Sequence, residues 1–265
     1  MSKKILFSSV VFCFLFVAIT SCIFPQKKSG NTIQSQKLIV LKLDDVVAGS
    51  GGQIVPERWQ RVSDYLEGKQ IKSSFGIIGF SLVDDYPAYF KWITERAARG
   101  YIEFWNHGFH PRTEEDTGEF ERSYTEQLYS LRMTDSLARA KLNLNLTVWG
   151  PHWSGTTEDT DRALAQIPNI RMTFQLPVEI KHFKGFVFKN RLDIEYPTHN
   201  PDFEAFKKTW LARKDDFNCY FLQGHPNSWD ETRWENFVKI IEFLQAEGMR
   251  FVTPSELLEM LNVKR

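Results

Sequence analysis

The chain has 265 residues, 42% of them hydrophobic and 25% charged, a length that suits one large folded domain better than two independent enzymatic domains. Lysine plus arginine and aspartate plus glutamate number 33 each, and no long run of one charge occurs. The sequence therefore lacks the basic surface typical of nucleic-acid-binding proteins, and we expect no nucleic-acid partner.

The first element in chain order is an export signal. Two lysines precede an apolar run from Ile5 to Ile19, which is too short to span a membrane and has the charge pattern of a secretory signal peptide. The segment Ile19-Thr20-Ser21-Cys22 resembles the lipobox of bacterial lipoproteins, in which the cysteine is acylated. This resemblance predicts a signal peptide over residues 1–21 and a membrane lipid attached to Cys22. An ordinary secretory signal with a chance cysteine is the alternative.

Residues 22–36 are mostly polar and include a proline and a glycine, a composition that predicts a flexible tether. Residues 37–265 form the predicted catalytic domain. Lipid anchoring would hold this domain at the cell envelope, on the periplasmic or the surface side of a bacterial membrane.

Within this domain, short apolar runs alternate with segments of helical periodicity, which is typical of β-α units around parallel strands. The predicted strands are Leu38 to Leu43, Ser73 to Gly79, Tyr101 to Asn106, Leu146 to Gly150, Ile170 to Gln175, Phe186 to Ile194 and Cys219 to Gly224. The predicted helices are Pro56 to Gln70, Pro87 to Arg99, Ser123 to Leu142, Thr157 to Ala165, Asp202 to Lys214 and Thr232 to Gly248. The predicted fold class is α/β, as an irregular (β/α) barrel with about seven parallel strands.

Reactive side chains follow three of these strands, at the carboxyl ends where α/β barrels carry their active sites. The first strand leads into Asp44 and Asp45, adjacent carboxylates that repel each other unless a cation or a proton intervenes. The third leads into His107 and His110, nitrogen donors suited to zinc or a similar divalent ion. His225 follows the seventh, where it could protonate a leaving group. Helix capping by the aspartates, and core or surface positions for the histidines, are alternatives that these residues leave open.

Four tryptophans fall near the same strand ends: Trp105, Trp149, Trp153 and Trp229. Their flat faces could stack on sugar rings or pack in the core, and we consider Trp153 and Trp229 the candidates for substrate contact. His152 is a further candidate for contact with metal or substrate, and a surface histidine is its alternative.

The order of these motifs resembles the polysaccharide deacetylase family, also called the NodB-homology or carbohydrate esterase family 4 group, over about Leu38 to Leu258. Lys42-Leu43-Asp44-Asp45 is similar to the family's Thr-Phe-Asp-Asp motif, which implies that Asp44 is the catalytic base and Asp45 a metal ligand. The segment from Asn106 to Pro111 is similar to the family's motif of two metal-binding histidines, with a spacing one residue shorter. The resemblance implies that these ligands are His107 and His110.

The segment from Trp149 to Trp153 resembles the third family motif, which lines the substrate groove and implies substrate contacts for Pro151, His152 and Trp153. Gly150 stands where the family has an arginine, so the group that orients the catalytic base must come from elsewhere. The segment from Leu222 to Pro226 resembles the motif that supplies the general acid, which implies that role for His225.

The resemblance implies a metal-dependent hydrolase that removes acetyl groups from an N- or O-acetylated polysaccharide. It also implies one divalent metal ion, for which zinc is the first choice. The chemistry suits these residues: a divalent ion activates water, Asp44 accepts its proton and His225 protonates the departing amine or alcohol. Two alternatives remain open: a catalytically inactive glycan-binding lipoprotein on the same fold, and another carbon–nitrogen hydrolase on that scaffold.

Overall fold

The structure, a computed structural model, describes residues 36–110, 118–153 and 155–263. The predicted signal peptide, the predicted acylation site Cys22 and all of the predicted tether except its last residue lie outside the described residues. None of the described helices is both long enough and apolar enough to cross a membrane.

One sheet of parallel strands organises the described part of the chain. Its strands are β1 (Leu38–Val46), β2 (Ser73–Ile77), β3 (Ile102–Asn106), β4 (Val148–Trp149), β5 (Met172–Phe174), β6 (Phe186–Phe188), β7 (Arg191–Asp193), β8 (Cys219–Gly224) and β9 (Arg250–Phe251). Their order is β6-β5-β4-β3-β2-β1-β8-β7, and β9 pairs with the start of β1. Because β6 and β7 are separated by only two residues yet end the order on opposite sides, the sheet curls into a nearly closed barrel. This confirms the predicted α/β barrel.

The predicted sixth strand, Phe186 to Ile194, consists of two strands. Its first part pairs with β5 and its second part pairs with β8, with Lys189 and Asn190 between them. The run therefore joins the two ends of the sheet, and the strand count exceeds the predicted seven by this division and by the two-residue β9.

Helices cover the outside of the barrel, and all six predicted helices are present. The helices are α1 (Glu57–Gly68), α2 (Pro87–Arg99), α3 (Tyr124–Leu137), α4 (Glu158–Leu164), α5 (Phe203–Arg213), α6 (Glu231–Ala246) and α7 (Pro254–Met260). A π-helical turn, Ala138–Leu142, continues α3 to its predicted end. Several starts follow from capping chemistry: the Ser123 and Glu126 side chains form a capping box at α3, and the Asp202 carboxylate accepts a hydrogen bond from the backbone at α5.

The side chains of β1 alternate between the inside and the outside of the barrel. Ile39, Leu41 and Leu43 belong to the apolar layer between sheet and helices, whereas Val40 belongs to the inner cluster that also contains Trp105. Because successive side chains of a strand point to opposite faces, the two polar residues that continue the inner row are Lys42 and Asp44. Both are almost completely buried, so β1 brings a cation and an anion into an aromatic interior.

Candidate functional site

The carboxyl ends of β1, β3 and β8 meet at one rim of the barrel. Leu43 pairs with Gly224 of β8, and on the other side of β1 the intervening strand β2 pairs Ile77 with Asn106 of β3. The residues that follow these pairs, Asp44, Asp45, His107 and His225, are therefore brought together from distant parts of the sequence.

Asp44 forms a buried ion pair with Lys42. The Lys42 Nζ lies 2.5 Å from Asp44 Oδ2, and the two side chains are 3% and 2% exposed. Burial lowers the pKa of Lys42, and the adjacent Asp44 opposes that shift. The ammonium also lies 5.1 Å from the centre of the Trp105 ring, so an aromatic face adds to its stabilisation. Lys42 is thus the cation that orients Asp44. It fills the role that the glycine at position 150 left open.

Gly150 packs closely beside this ion pair. A Cβ atom at Gly150 would lie 3.0 Å from Trp105 Cζ3 and 3.2 Å from Lys42 Cε, so a larger residue would require the tryptophan ring or the lysine stem to shift by a few tenths of an ångström. The glycine therefore gives the lysine stem room inside the barrel. The signal in the sequence was a lone lysine at an inward position of a buried strand.

Asp45 lies in a strained backbone conformation at the end of β1. Its φ is 75°, in the left-handed region that costs a non-glycine residue about 1 to 2 kcal/mol, and the strand register shifts here. Two donors hold its carbonyl oxygen: Asn227 Nδ2 at 2.9 Å and Trp59 Nε1 at 3.2 Å. The Asp45 carboxylate faces the imidazoles of His107 and His152.

The Asp45 carboxylate lies among histidines and lacks a hydrogen-bond donor at one oxygen. Its Oδ1 is 3.2 Å from His107 Nε2 and 3.6 Å from His152 Nε2, but it is buried without a hydrogen bond of acceptable geometry, as is Asp44 Oδ1. Burial raises the pKa of Asp45, and the imidazoles of His107, His152 and His225 outweigh that effect and lower it. Two buried carboxylate oxygens without donors form a donor set that fits a divalent cation.

His107 is oriented as a metal-binding histidine would be. Its side chain is 2% exposed, and its Nδ1 lies 2.9 Å from the carbonyl oxygen of Gly150. A carbonyl can only accept, so Nδ1 carries a proton, and Nε2, the nitrogen left for a metal, faces Asp44 and Asp45. Ligation by His107 stays a prediction.

The loop after β4 carries three predicted substrate-contact residues to the same rim. Pro151 is buried, while His152 and Trp153 are partly exposed, and the Trp153 indole N–H donates to His152 Nε2 at 2.9 Å. Burial and the neighbouring His107 lower the pKa of His152 to about 4, so this imidazole is neutral at pH 7. A neutral imidazole with its lone pair on Nε2 can bind a metal as well as a substrate.

His225 is held by Glu195, a residue that we did not single out in the sequence. His225 Nδ1 lies 2.7 Å from Glu195 Oε2, and the backbone N–H of His225 donates to Oε1 at 2.8 Å. Burial lowers the pKa of His225, but Glu195 and Asp44 outweigh that effect and raise it above its ordinary value. His225 Nε2 is 3.7 Å from Asp44 Oδ2, so the imidazole faces the predicted base.

Trp229 differs from the predicted sugar-stacking residue. It is 1% exposed, its indole N–H donates to Glu195 Oε1 at 2.8 Å, and its ring packs on Phe237. A ring without an open face cannot stack on a sugar in this structure. Trp229 instead fixes the carboxylate that holds His225.

Glu195, His199 and His225 also form a possible metal-binding group, because one donor atom of each lies within 4.8 Å of the others. The carboxylate of Glu195 is already saturated, since it accepts from His225 N, His225 Nδ1, Trp229 Nε1 and His199 N. A carboxylate offers about four lone-pair sites, and none remains here for a cation. Asp45, with a buried oxygen that has no donor, is the better centre for a metal site.

His110 takes a different place from His107. Its ring centre is 4.9 Å from that of Phe109, and its backbone N–H donates to Glu119 Oε1 at 3.0 Å. Hydrogen bonds from Ser123 lower the pKa of the exposed Glu126, and nearby His110 adds to that shift. Among the contacts of the described residues, none joins the His110 imidazole to Asp45. Ligation by His110 stays a prediction.

A cavity of about 390 Å³ lies away from these groups, lined among others by Thr147, Ile170, Arg171 and Gly185. These residues precede β4, β5 and β6, so the cavity opens at the amino ends of the strands. The reactive side chains lie at the opposite rim, where α/β barrels place their chemistry.

No family model matches the sequence, and none of the curated proteins matches it. The fold is shared with solved structures of carbohydrate esterase family 4. A family 4 acetyl xylan esterase from Clostridium thermocellum, in complex with a cobalt ion, has a TM-score of 0.60 at 18% identity and covers 86% of this chain and 93% of its own. A peptidoglycan deacetylase from Bacillus subtilis has a TM-score of 0.57 at 18% identity, covering 86% and 93%. A family 4 pseudoenzyme from Bacillus anthracis has a TM-score of 0.56 at 15% identity, covering 84% and 66%.

Proposed function

We propose that the chain is a metal-dependent hydrolase that removes acetyl groups from an N- or O-acetylated polysaccharide. One observation carries this proposal: the buried carboxylate of Asp44, paired with Lys42, lies 3.7 Å from both His107 Nε2 and His225 Nε2. Beside it, Asp45 offers a buried oxygen that lacks a donor. The site thus combines a carboxylate base, a cationic acid and donors for one metal ion.

The metal would be held by Asp45 and His107, whose oxygen and nitrogen donors suit zinc, which we propose as the resident ion. When bound, a divalent ion supplies Lewis acidity to a water and to an acyl oxygen. The likeness to the cobalt-bound acetyl xylan esterase supports a divalent ion at this rim.

Asp44 and His225 divide the proton transfers. Asp44, buried and oriented by Lys42, accepts a proton from the attacking water. His225, whose raised pKa favours the protonated form, delivers a proton to the departing amine or alcohol of the sugar. Glu195 keeps the imidazole of His225 in place through both of its oxygens. The bond between the acyl carbon and the sugar breaks, and acetate is released.

The proposed substrate rests on residues at the rim of the barrel, and the proposed location of the protein rests on its N-terminal sequence. Trp153 is partly exposed beside His152, where an indole face could meet a sugar ring. Proteins of this fold include one named for acetyl xylan and one named for peptidoglycan. The export signal and the lipobox-like segment ending at Cys22 support a lipid-anchored protein that meets its glycan at the cell envelope.

Acetate release tests this proposal. The full chain, purified in detergent and loaded with Zn²⁺, is incubated with acetylated xylan, N-acetylated glycan oligomers and simple acetyl amides. We expect release from at least one acetylated glycan, its loss in Asp44→Asn, and no change in the matched control Asp84→Asn, an exposed aspartate. Release by Asp44→Asn equal to that of the wild type rejects the assignment of the base, and release from simple amides alone favours another carbon–nitrogen hydrolase.

A catalytically inactive glycan-binding lipoprotein is the second candidate. It is favoured by the shared fold of a family 4 pseudoenzyme and by the absence of a described contact between His110 and Asp45. The pairs Lys42–Asp44 and Glu195–His225 argue for chemistry, because burying charges is costly and glycan binding does not require it. Glycan binding without acetate release from the metal-loaded chain would favour the inactive protein.

A further inference from the structure

We propose that His152, rather than His110, supplies the second imidazole of the metal site, beside Asp45 and His107. This inference rests on the proposed function, because it specifies the ligands of the same metal. The second histidine ligand then comes from the third sequence motif, which contains His152. The sequence had instead suggested that both histidine ligands, His107 and His110, belong to the second motif.

Two distances from Asp45 are close to those between ligands of one ion. Ligand bonds of about 2.1 Å at tetrahedral angles place neighbouring donor atoms about 3.4 Å apart. Asp45 Oδ1 lies 3.2 Å from His107 Nε2 and 3.6 Å from His152 Nε2. The donor atoms of the three residues do not all lie within 4.8 Å of one another, so the His107 and His152 nitrogens must approach each other when an ion binds.

The two ring centres lie at the separation expected for a shared ion. Two imidazoles bound to a tetrahedral ion through Nε2 have ring centres about 5 Å apart. The centres of His107 and His152 are 5.1 Å apart, with their planes inclined by 53°. Both rings are largely buried, since the His107 side chain is 2% exposed and that of His152 is 13% exposed.

The loop after β4 positions both imidazole rings. The Gly150 carbonyl fixes the tautomer of His107, and His152 follows two residues later on the same loop. The Trp153 indole N–H donates to His152 Nε2, so this nitrogen carries a lone pair, and it lies 3.6 Å from Asp45 Oδ1.

Trp153 gives this assignment a spectroscopic consequence. Its indole N–H donates to His152 Nε2 at 2.9 Å, the atom whose lone pair a metal would take. Metal binding must therefore release this hydrogen bond and change the environment of the indole. An indole that responds to the ion distinguishes ligation by His152 from a site in which His152 is a bystander.

Metal affinity in matched variants tests the inference. The Zn²⁺ affinity of the full chain in detergent is measured by chelator competition for the wild type, His152→Ala, His110→Ala and the exposed control His182→Ala. We expect His152→Ala to lose at least about 100-fold in affinity, as for a lost ligand, and the other two to stay within about threefold of the wild type. Loss in His110→Ala, alone or together with His152→Ala, overturns the assignment.

A second readout does not depend on a histidine variant that folds. Zn²⁺ is titrated into the wild type and into Trp153→Phe while tryptophan fluorescence is recorded. We expect a change in the wild type that is mostly lost in Trp153→Phe although Zn²⁺ still binds. An equal change in both proteins overturns the assignment.

Failure of the inference and failure of the proposed function are distinguishable. A chain that binds one ion through His152 and releases no acetate from any acetylated glycan keeps the ligand and refutes the hydrolase. A chain that releases acetate while His152→Ala binds Zn²⁺ as tightly as the wild type keeps the hydrolase and refutes the ligand.

Discussion

Two carboxylates at the same rim, Asp45 and Glu195, are both surrounded by imidazoles and yet differ in their hydrogen bonding. Glu195 accepts from four protein N–H groups, two of them on His225. Asp45 Oδ1 is buried beside His107 and His152 and accepts none of acceptable geometry. The saturated carboxylate fixes a proton donor, and the unsaturated one has capacity left for a cation.

Proximity of ionisable groups therefore does not by itself identify a metal site. One donor atom each of Glu195, His199 and His225 lies within 4.8 Å of the others, but the acceptor capacity of Glu195 is already used. The number of donors that each buried oxygen lacks is the better guide, because a buried acceptor without a partner costs about 1 to 3 kcal/mol.

The largest loss of activity is expected from a change at the proposed metal site around Asp45. Replacement of His107 by alanine removes a ligand from the donor set, so we expect metal binding to fail and acetate release to fall by about 10⁴-fold, the combined scale of lost acid–base and oxyanion catalysis. Metal content and acetate release are measured on the same preparation. The exposed His182→Ala should behave as the wild type. Full activity in His107→Ala would mean that His107 is not a required ligand of the metal.

The next effect concerns Lys42, which forms a buried ion pair with Asp44. Lys42→Met leaves a buried carboxylate without its counter-charge, so we expect unfolding to become easier by about 3 to 5 kcal/mol and activity to fall by about 10²- to 10³-fold. Denaturant unfolding and kcat/KM measure the two effects. The double variant Lys42→Met/Asp44→Asn should regain much of the stability and none of the activity. A stability loss no larger than that of the exposed Lys208→Met would contradict the buried pair.

A smaller effect is expected on the Glu195 side, and it depends on pH. Burial lowers the pKa of His225, and Glu195 with Asp44 raises it above its ordinary value. Glu195→Gln removes one of these charges, so the pKa of His225 falls and less of the protonated acid is present at a given alkaline pH. The alkaline limb of the pH–kcat profile should move to lower pH, with a fall in kcat of about 10- to 100-fold. An unmoved limb would show that His225 does not serve as the acid.

The smallest effect distinguishes the two roles considered for Trp229. Trp229→Phe keeps most of the core packing and removes the N–H that donates to Glu195 Oε1, so we expect a cost of about 1 kcal/mol in stability and a small fall in kcat. KM for the glycan should not change, because the ring is buried. A large rise in KM with an unchanged kcat would restore the predicted sugar contact.

The sequence predicted the barrel because alternating β-α patterns and short apolar strands determine a parallel sheet with few possible topologies. The same reasoning brought Asp44, Asp45, His107 and His225 to one rim, since the carboxyl ends of neighbouring parallel strands meet there. These residues directly follow regular strands, where the position along the sequence determines the position in space.

Lys42 and Glu195 were harder to predict for different reasons. Lys42 is recognisable only when alternation along β1 is combined with the space that Gly150 leaves inside the barrel. Glu195 lies in irregular backbone after β7, 30 residues before His225, and no periodic pattern relates the two. The place of His152 depends on the path of a loop, which local sequence rules do not determine.

A titration that follows metal content and acetate release together is the decisive test of a metal-dependent hydrolase. Metal-free full chain in detergent receives Zn²⁺ in small steps, with an acetylated glycan present at each step. We expect acetate release to rise in proportion to bound ion and to stop rising at one ion per chain, and we expect Asp44→Asn to bind the ion without releasing acetate. Acetate release that is unrelated to bound ion, or a fully loaded chain that releases none, would refute metal-dependent deacetylation.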